Sequence, residues 1–80
     1  MASRRVRLTF PANLVTEPII YMVGRKFEIV TNIRRANILR DAGWVVLEIT
    51  GDDEEIDKAI EYLRERNVDV QAVEGDVLAN

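Results

Sequence analysis

The stretch Trp44-Val45-Val46-Leu47-Glu48-Ile49-Thr50-Gly51-Asp52-Asp53-Glu54-Glu55-Ile56-Asp57-Lys58-Ala59-Ile60-Glu61-Tyr62-Leu63 changes its hydrophobic period halfway along. Val45, Leu47 and Ile49 alternate with Val46, Glu48 and Thr50, the period of two that marks a strand with one buried face. Ile56, Ala59, Ile60 and Leu63 then recur at i, i+3, i+4 and i+7, one side of a helix, and Asp53, Glu61, Glu65 and Arg66 are left for water. At the junction Asp52 can accept a backbone N–H and Glu55, three residues on, can reach back, so a capping box is expected. Asn67 is a fair C-terminal stop.

Working outward, Asp41-Ala42-Gly43 supplies a turn before this strand. Residues 31–39 interleave β-branched and apolar side chains with Arg34, Arg35 and Asn37, so they predict a strand that forms a hairpin with the next. The adjacent arginines upset strict alternation, which a bulge or a twisted edge strand explains. Val6, Leu8 and Phe10 alternate with Arg5, Arg7 and Thr9 as a first strand, broken by Pro11 and Asn13. Thr16 can cap a following helix in which Glu17 favours the positive end and Pro18 is tolerated in the first turn. Ile19, Met22, Val23 and Phe27 share one side of it. Val68, Val70 and Ala72 read as a last strand, and residues 75–80 as a frayed tail.

The order is βαββαβ. Two right-handed crossovers then put both helices on one face of a four-stranded antiparallel sheet, a ferredoxin-like α+β fold. The other face has no helix to cover it. Arg5, Arg7, Glu48 and Thr50 predict that it is partly wet, whereas Trp44 and Val46 in the same phase predict a contact.

Eighty residues fit one domain, with a core over about residues 4–74. With no cysteine and no histidine, disulfides, the usual zinc sites and every scheme built on a thiol or an imidazole are excluded. Self-association is the remaining aid to so small a core. A composition of 48% hydrophobic and 31% charged residues is that of a folded domain. The longest apolar run, residues 44–47, is far short of the roughly 18 needed to span a bilayer, and no apolar segment of a secretory signal follows residues 1–5. No membrane insertion is expected, and the cytoplasm is the default. Residues 1–40 carry 8 basic and 2 acidic side chains, and residues 41–80 carry 3 and 12. Such a dipole serves either docking electrostatics or two solvated surfaces.

The fold hosts many functions, so the residues have to discriminate. No Cys-x-x-Cys loop is present for a metallochaperone, and Pro11-Ala12-Asn13-Leu14 lacks the glycine and arginine of an acylphosphatase loop. An RNA-recognition motif displays aromatic residues on its central strands, but Phe10 shares phase with Val6 and Leu8. Arg4, Arg5, Arg7, Arg34, Arg35 and Arg40 could meet phosphates, yet a pI near 4.9 argues against nucleic acid. Asp52, Asp53, Glu54 and Glu55 cluster at a helix start, where they serve the helix dipole. Nothing pairs a nucleophile with a base, and no enzyme, cofactor or metal is expected.

The chain from Val6-Arg7-Leu8-Thr9-Phe10 through Glu17-Pro18, Val30-Thr31-Asn32-Ile33, Ala36-Asn37-Ile38, Gly43-Trp44-Val45 and Thr50-Gly51 to Val68-Asp69-Val70 resembles the NIL domain. This is the small regulatory module appended to methionine importer ATPases. The resemblance implies a non-enzymatic domain that binds methionine or a related amino acid where two copies meet. It also implies that Asn32 lies in that pocket. An amide offers two donors and acceptor sites, so it can meet a carboxylate and an ammonium without adding charge; its other reading is a local turn or a backbone cap. Arg34 departs from the family, which has leucine after the isoleucine, and it either attracts a ligand carboxylate or blocks a thioether. Ile33, Ile38 and Met22 could wall the thioether or be ordinary core. A literal Asn37-Ile38-Leu39 follows, but register from Gly43 favours Asn32. The candidate ligand-binding residues are Asn32, Ile33, Arg34, Asn37 and Ile38.

No ATPase and no Walker motif are in the sequence, so a regulatory role is expected to act in trans as a homodimer through the second and third strands. A partner in transport or sulfur metabolism follows from this reading. The alternative is a docking adaptor or subunit of a homocysteine-forming enzyme system, resembling NIL domains joined to ferredoxin modules.

Overall fold

The computed structural model describes residues 1–11, 18–39 and 42–73. Strand β1 is Ala2–Phe10, helix α1 Ile19–Lys26, β2 Ile29–Ile38, β3 Gly43–Gly51, helix α2 Asp53–Glu65 and β4 Asp69–Ala72. The strands form one sheet in the order β2-β3-β1-β4, every neighbouring pair antiparallel. The expected ferredoxin-like α+β architecture is therefore the one observed. Thr16 and Glu17, the expected cap and first turn of α1, lie outside the described residues, as do Asp41 and residues 74–80. Pro18 occupies the N-cap position rather than the first turn, and its carbonyl accepts the Met22 N–H at 3.0 Å.

Alternation in β1 and β3 places Val6, Leu8, Phe10, Val45, Leu47 and Ile49 in one buried layer, against which Ile19 and Val23 of α1 and Ile56, Ala59 and Leu63 of α2 pack. Phe27 falls just past α1 as its C-cap and meets Tyr62 of α2 edge to face at 5.6 Å between centroids. Arg66, expected in water, lies half-buried with its guanidinium 5.7 Å from the Tyr62 ring. Asn67 does end α2. With φ of 69° it takes the left-handed conformation, and the Val68 and Asn67 N–H groups bond the Leu63 and Arg64 carbonyls at 3.0 Å each, a Schellman motif.

Gly51 closes β3 at a close approach to the start of β2. A Cβ there would come within 2.9 Å of the Glu28 carbonyl oxygen and 3.2 Å of Ile29 Cγ2. Backbone atoms cannot swing aside as a side chain can, so β2 and β3 would have to part locally. Gly51→Ala is expected to cost about 1–3 kcal/mol of stability, read as a lower urea midpoint at unchanged slope. A midpoint equal to that of the parent would show that the junction gives way freely.

The capping box at the start of α2 does not form. Asp52 is the N-cap by backbone geometry but makes no side-chain cap bond. Glu55 instead accepts the Glu28 backbone N–H at 3.0 Å and pairs with Lys58 at 3.2 Å, joining α2 to the connection between α1 and β2. Tertiary contact has won over the local motif, because an N–H just ahead of β2 was brought within reach. The Glu28 N–H, then Lys58, hold the Glu55 carboxyl below its ordinary value of 4.5. A depressed carboxyl stabilises the fold above its unfolded value, and that contribution disappears as pH falls through the folded one. Glu55→Gln is expected to flatten the acid limb of the stability profile below pH 4.5. Superimposable acid limbs would show that the contact is not retained in solution.

Candidate functional site

Among the described residues strand β2 lies at one margin of the sheet and is paired on one side only, by β3. Of its ten residues only Ile29 is buried, and from Asn32 to Ile38 every one is exposed. Directly opposed residues share a face, so the register with β3 assigns each side chain. Asn32 stands opposite Glu48, Arg35 opposite Val46 and Asn37 opposite Trp44, on the face that neither helix covers. Ile33 stands opposite Leu47 and Ile38 opposite Gly43, on the helix side.

The sequence-derived candidates are thereby divided. Asn32 and Asn37 share the open face, and the aliphatic wall expected from Ile33 and Ile38 is on the other side of their own strand. Adjacent residues of a strand point to opposite faces, so an Asn-Ile pair cannot present both side chains to one surface. Met22 is half-buried on α1, also on the helix side.

The expected bulge is present, with the register shifting between Ile33 and Arg35. Arg34 is the extra residue, and its Nη1 lies 4.0 Å from Glu48 Oε1, which puts it with Asn32 on the open face. Arg5 approaches the same carboxylate from β1, Nε to Oε2 at 3.5 Å. Glu48 was expected only as a water-facing strand residue; its position opposite Asn32 depends on the bulge and was not visible in the spacing.

Beside this cluster the Arg7 guanidinium lies 4.6 Å from the centre of the Trp44 ring. Val46 is buried at 8% exposure with neither helix above it, and its cross-strand neighbours are Arg7 and Arg35, whose long stems can shield it. Not all the arginines gather here. Arg4 is on the helix side, bonded to Asp53 at 3.0 Å and Asp57 at 2.8 Å, so the basic group read from the sequence is split between faces. A groove of about 940 Å³ beside α2 and β1 is lined by Arg4, Val6, Ile60 and Arg64, and its lining includes Arg5 and Glu48. Asn32 does not line it. Among the described residues no group of acidic, histidine or cysteine side chains could hold a metal ion, and no helix is long and apolar enough to cross a membrane.

The sheet order, the paired helices on one face and the polar cluster on the other define a small ferredoxin-like α+β domain. The family model of the NIL domain matches residues 4–72, and the chain belongs to that family. It is 35% identical over 72 residues to the methionine import ATP-binding protein MetN of Vibrio vulnificus, strain YJ016, and equally to that of strain CMCP6. Each match takes in 85% of this chain but 21% of the relative, so the chain spans about a fifth of the length of the curated relatives it matches. The crystal structure of the C-terminal domain of an ABC transporter ATP-binding protein from Enterococcus faecalis superimposes with a TM-score of 0.78 at 27% identity, over 88% of this chain and 82% of that one.

Proposed function

We propose that this NIL domain is a non-enzymatic, cytoplasmic regulatory module that binds methionine or a related amino acid beside Asn32, at an interface between two copies. The observation that carries the reading is the outer half of β2. It holds Asn32 on a strand that is exposed on both faces and, among the described residues, unpaired along one edge. Val30, Ile33 and Ile38 of β2 and Leu39 just after it are each more than half exposed, an apolar content that an isolated edge strand ordinarily avoids. A second β2 placed against this edge would satisfy its free backbone groups and bury those side chains. Of the second and third strands, β2 is the one that offers such an edge, because β3 is bonded on both sides, by β2 and β1. The dimer expected through strands two and three is thus a β2 dimer, with β3 contributing through its open face.

The relatives named for methionine import support the choice of ligand and a regulated partner in transport. Ile33 and Ile38 belong to the proposed interface between copies, while Asn32, Arg34 and Asn37 belong to the ligand. The test is a nitrogen-edited NMR titration of the purified chain with L-methionine, against L-homocysteine, L-cysteine and L-alanine, with light scattering for the assembly. Saturable shifts centred on residues 32–37 in a dimer are expected. Silence with all four amino acids sinks the sensor, and would move the search to a docking role in sulfur metabolism.

A further inference from the structure

The two charges of an α-amino acid sit on adjacent carbons, so a site for it needs a cation and an anion side by side. The open face has such a pair next to Asn32. Glu48 stands directly across the ladder from the amide, which puts the two Cβ atoms about 4.5–5.5 Å apart. Arg34, turned to this face by the bulge, has its guanidinium 4.0 Å from the same carboxylate. Resting on the reading of Asn32 as a ligand residue, we infer that Glu48 accepts the ammonium group of the ligand and Arg34 donates to its carboxylate. The ligand class is then the free zwitterionic α-amino acid.

The state of Glu48 fits an acceptor with capacity left. A charge-assisted N–H···O bond closes to about 2.7–2.9 Å, whereas its contacts with Arg5 and Arg34 are 3.5 and 4.0 Å. The carboxylate is therefore balanced electrostatically but not saturated, and it offers about four acceptor positions where an ammonium brings three donors. It keeps 26% of its side-chain surface exposed, so an ammonium can reach it without displacing a buried group. Arg34 similarly presents its planar fork to solvent at 44% exposure, the geometry that matches a carboxylate in two parallel bonds. Between them the Asn32 amide can donate to the ligand carboxylate or accept from its ammonium. The apolar groups available to the ligand side chain on this face are Val30, Val46 and Trp44, which replace the Ile33 and Ile38 wall that the strand turns away.

The test compares the parent with Glu48→Gln by calorimetry, using L-methionine and N-acetyl-L-methionine, the latter without an ammonium group. If another amino acid of the titration panel is the one that binds, it and its N-acetyl form take their place. Binding of the free amino acid is expected to weaken by at least about tenfold in Glu48→Gln. In the parent, acetylation is expected to weaken it to a similar degree, and the acetylated ligand is expected to be indifferent to the substitution. Equal affinity of the parent for the free and acetylated forms overturns the assignment even if the variant fails to fold. Undiminished binding by a folded Glu48→Gln also overturns it, while leaving Asn32 and the sensor reading intact. Absence of amino-acid binding by the parent removes both together.

Discussion

Truncating Leu63 to alanine is expected to cost about 2–5 kcal/mol, the range for a fully buried leucine. Leu63 is fully buried in the cluster that joins α2 to the sheet, with Ile56 and Ala59 on the same side of the helix. Its carbonyl also anchors the Schellman motif that turns the chain into β4, accepting the Val68 N–H at 3.0 Å. The substitution leaves that backbone bond in place and removes only packing, so the loss reports the interior. The cavity left behind can collapse little, because Leu8, Leu47, Ile49 and Ile56 in this cluster are themselves fully enclosed. Urea unfolding followed by circular dichroism measures it. A change below about half a kcal/mol, the range of surface substitutions, would mean that α2 is not held to the sheet through this side chain.

Asn32→Ala is expected to leave stability within about half a kcal/mol of the parent and to abolish detectable amino-acid binding. The two halves of that result have separate causes. Asn32 is exposed and makes no contribution to the helix-side core, so the fold has little to lose. A bound amino acid, in contrast, would lose the amide that can meet both of its charges, and the immediate neighbours Thr31 and Ile33, which point to the other face, cannot replace it. The titration that defines the proposed site reads this directly. An unchanged dissociation constant would remove Asn32 from the site. A large drop in the unfolding midpoint would instead make the residue a structural one, as a turn or cap asparagine is.

By itself the sequence determined the architecture. Strands β1 and β3 declared themselves by strict alternation, as Val6, Leu8 and Phe10 do, and α2 by the spacing of Ile56, Ala59 and Leu63. These signals are local, and they survive into the tertiary structure because burying each apolar face is what drives the packing. Asn67 was legible for the same reason, since its left-handed conformation is required by its own helix. Family membership was legible in short motifs spread over the same elements.

Tertiary structure decided which residues share a surface. Counted back from the pairing of Ile38 with Gly43, an unbroken ladder would set Asn32 opposite Ile49 on the helix side. The bulge at Arg34 shifts the register by one, so Asn32 meets Glu48 on the open face and Thr31 takes the place beside Ile49. Two adjacent arginines in the sequence announced an irregularity but not which way each neighbour would turn. Glu55 shows the same limit: its spacing from Asp52 fitted a capping box, yet the Glu28 N–H it binds is 27 residues away in sequence. Periodicity records how a segment meets the core. Which side chains meet one another across strands and between elements depends on register and close approach, and those exist only once the sheet has formed.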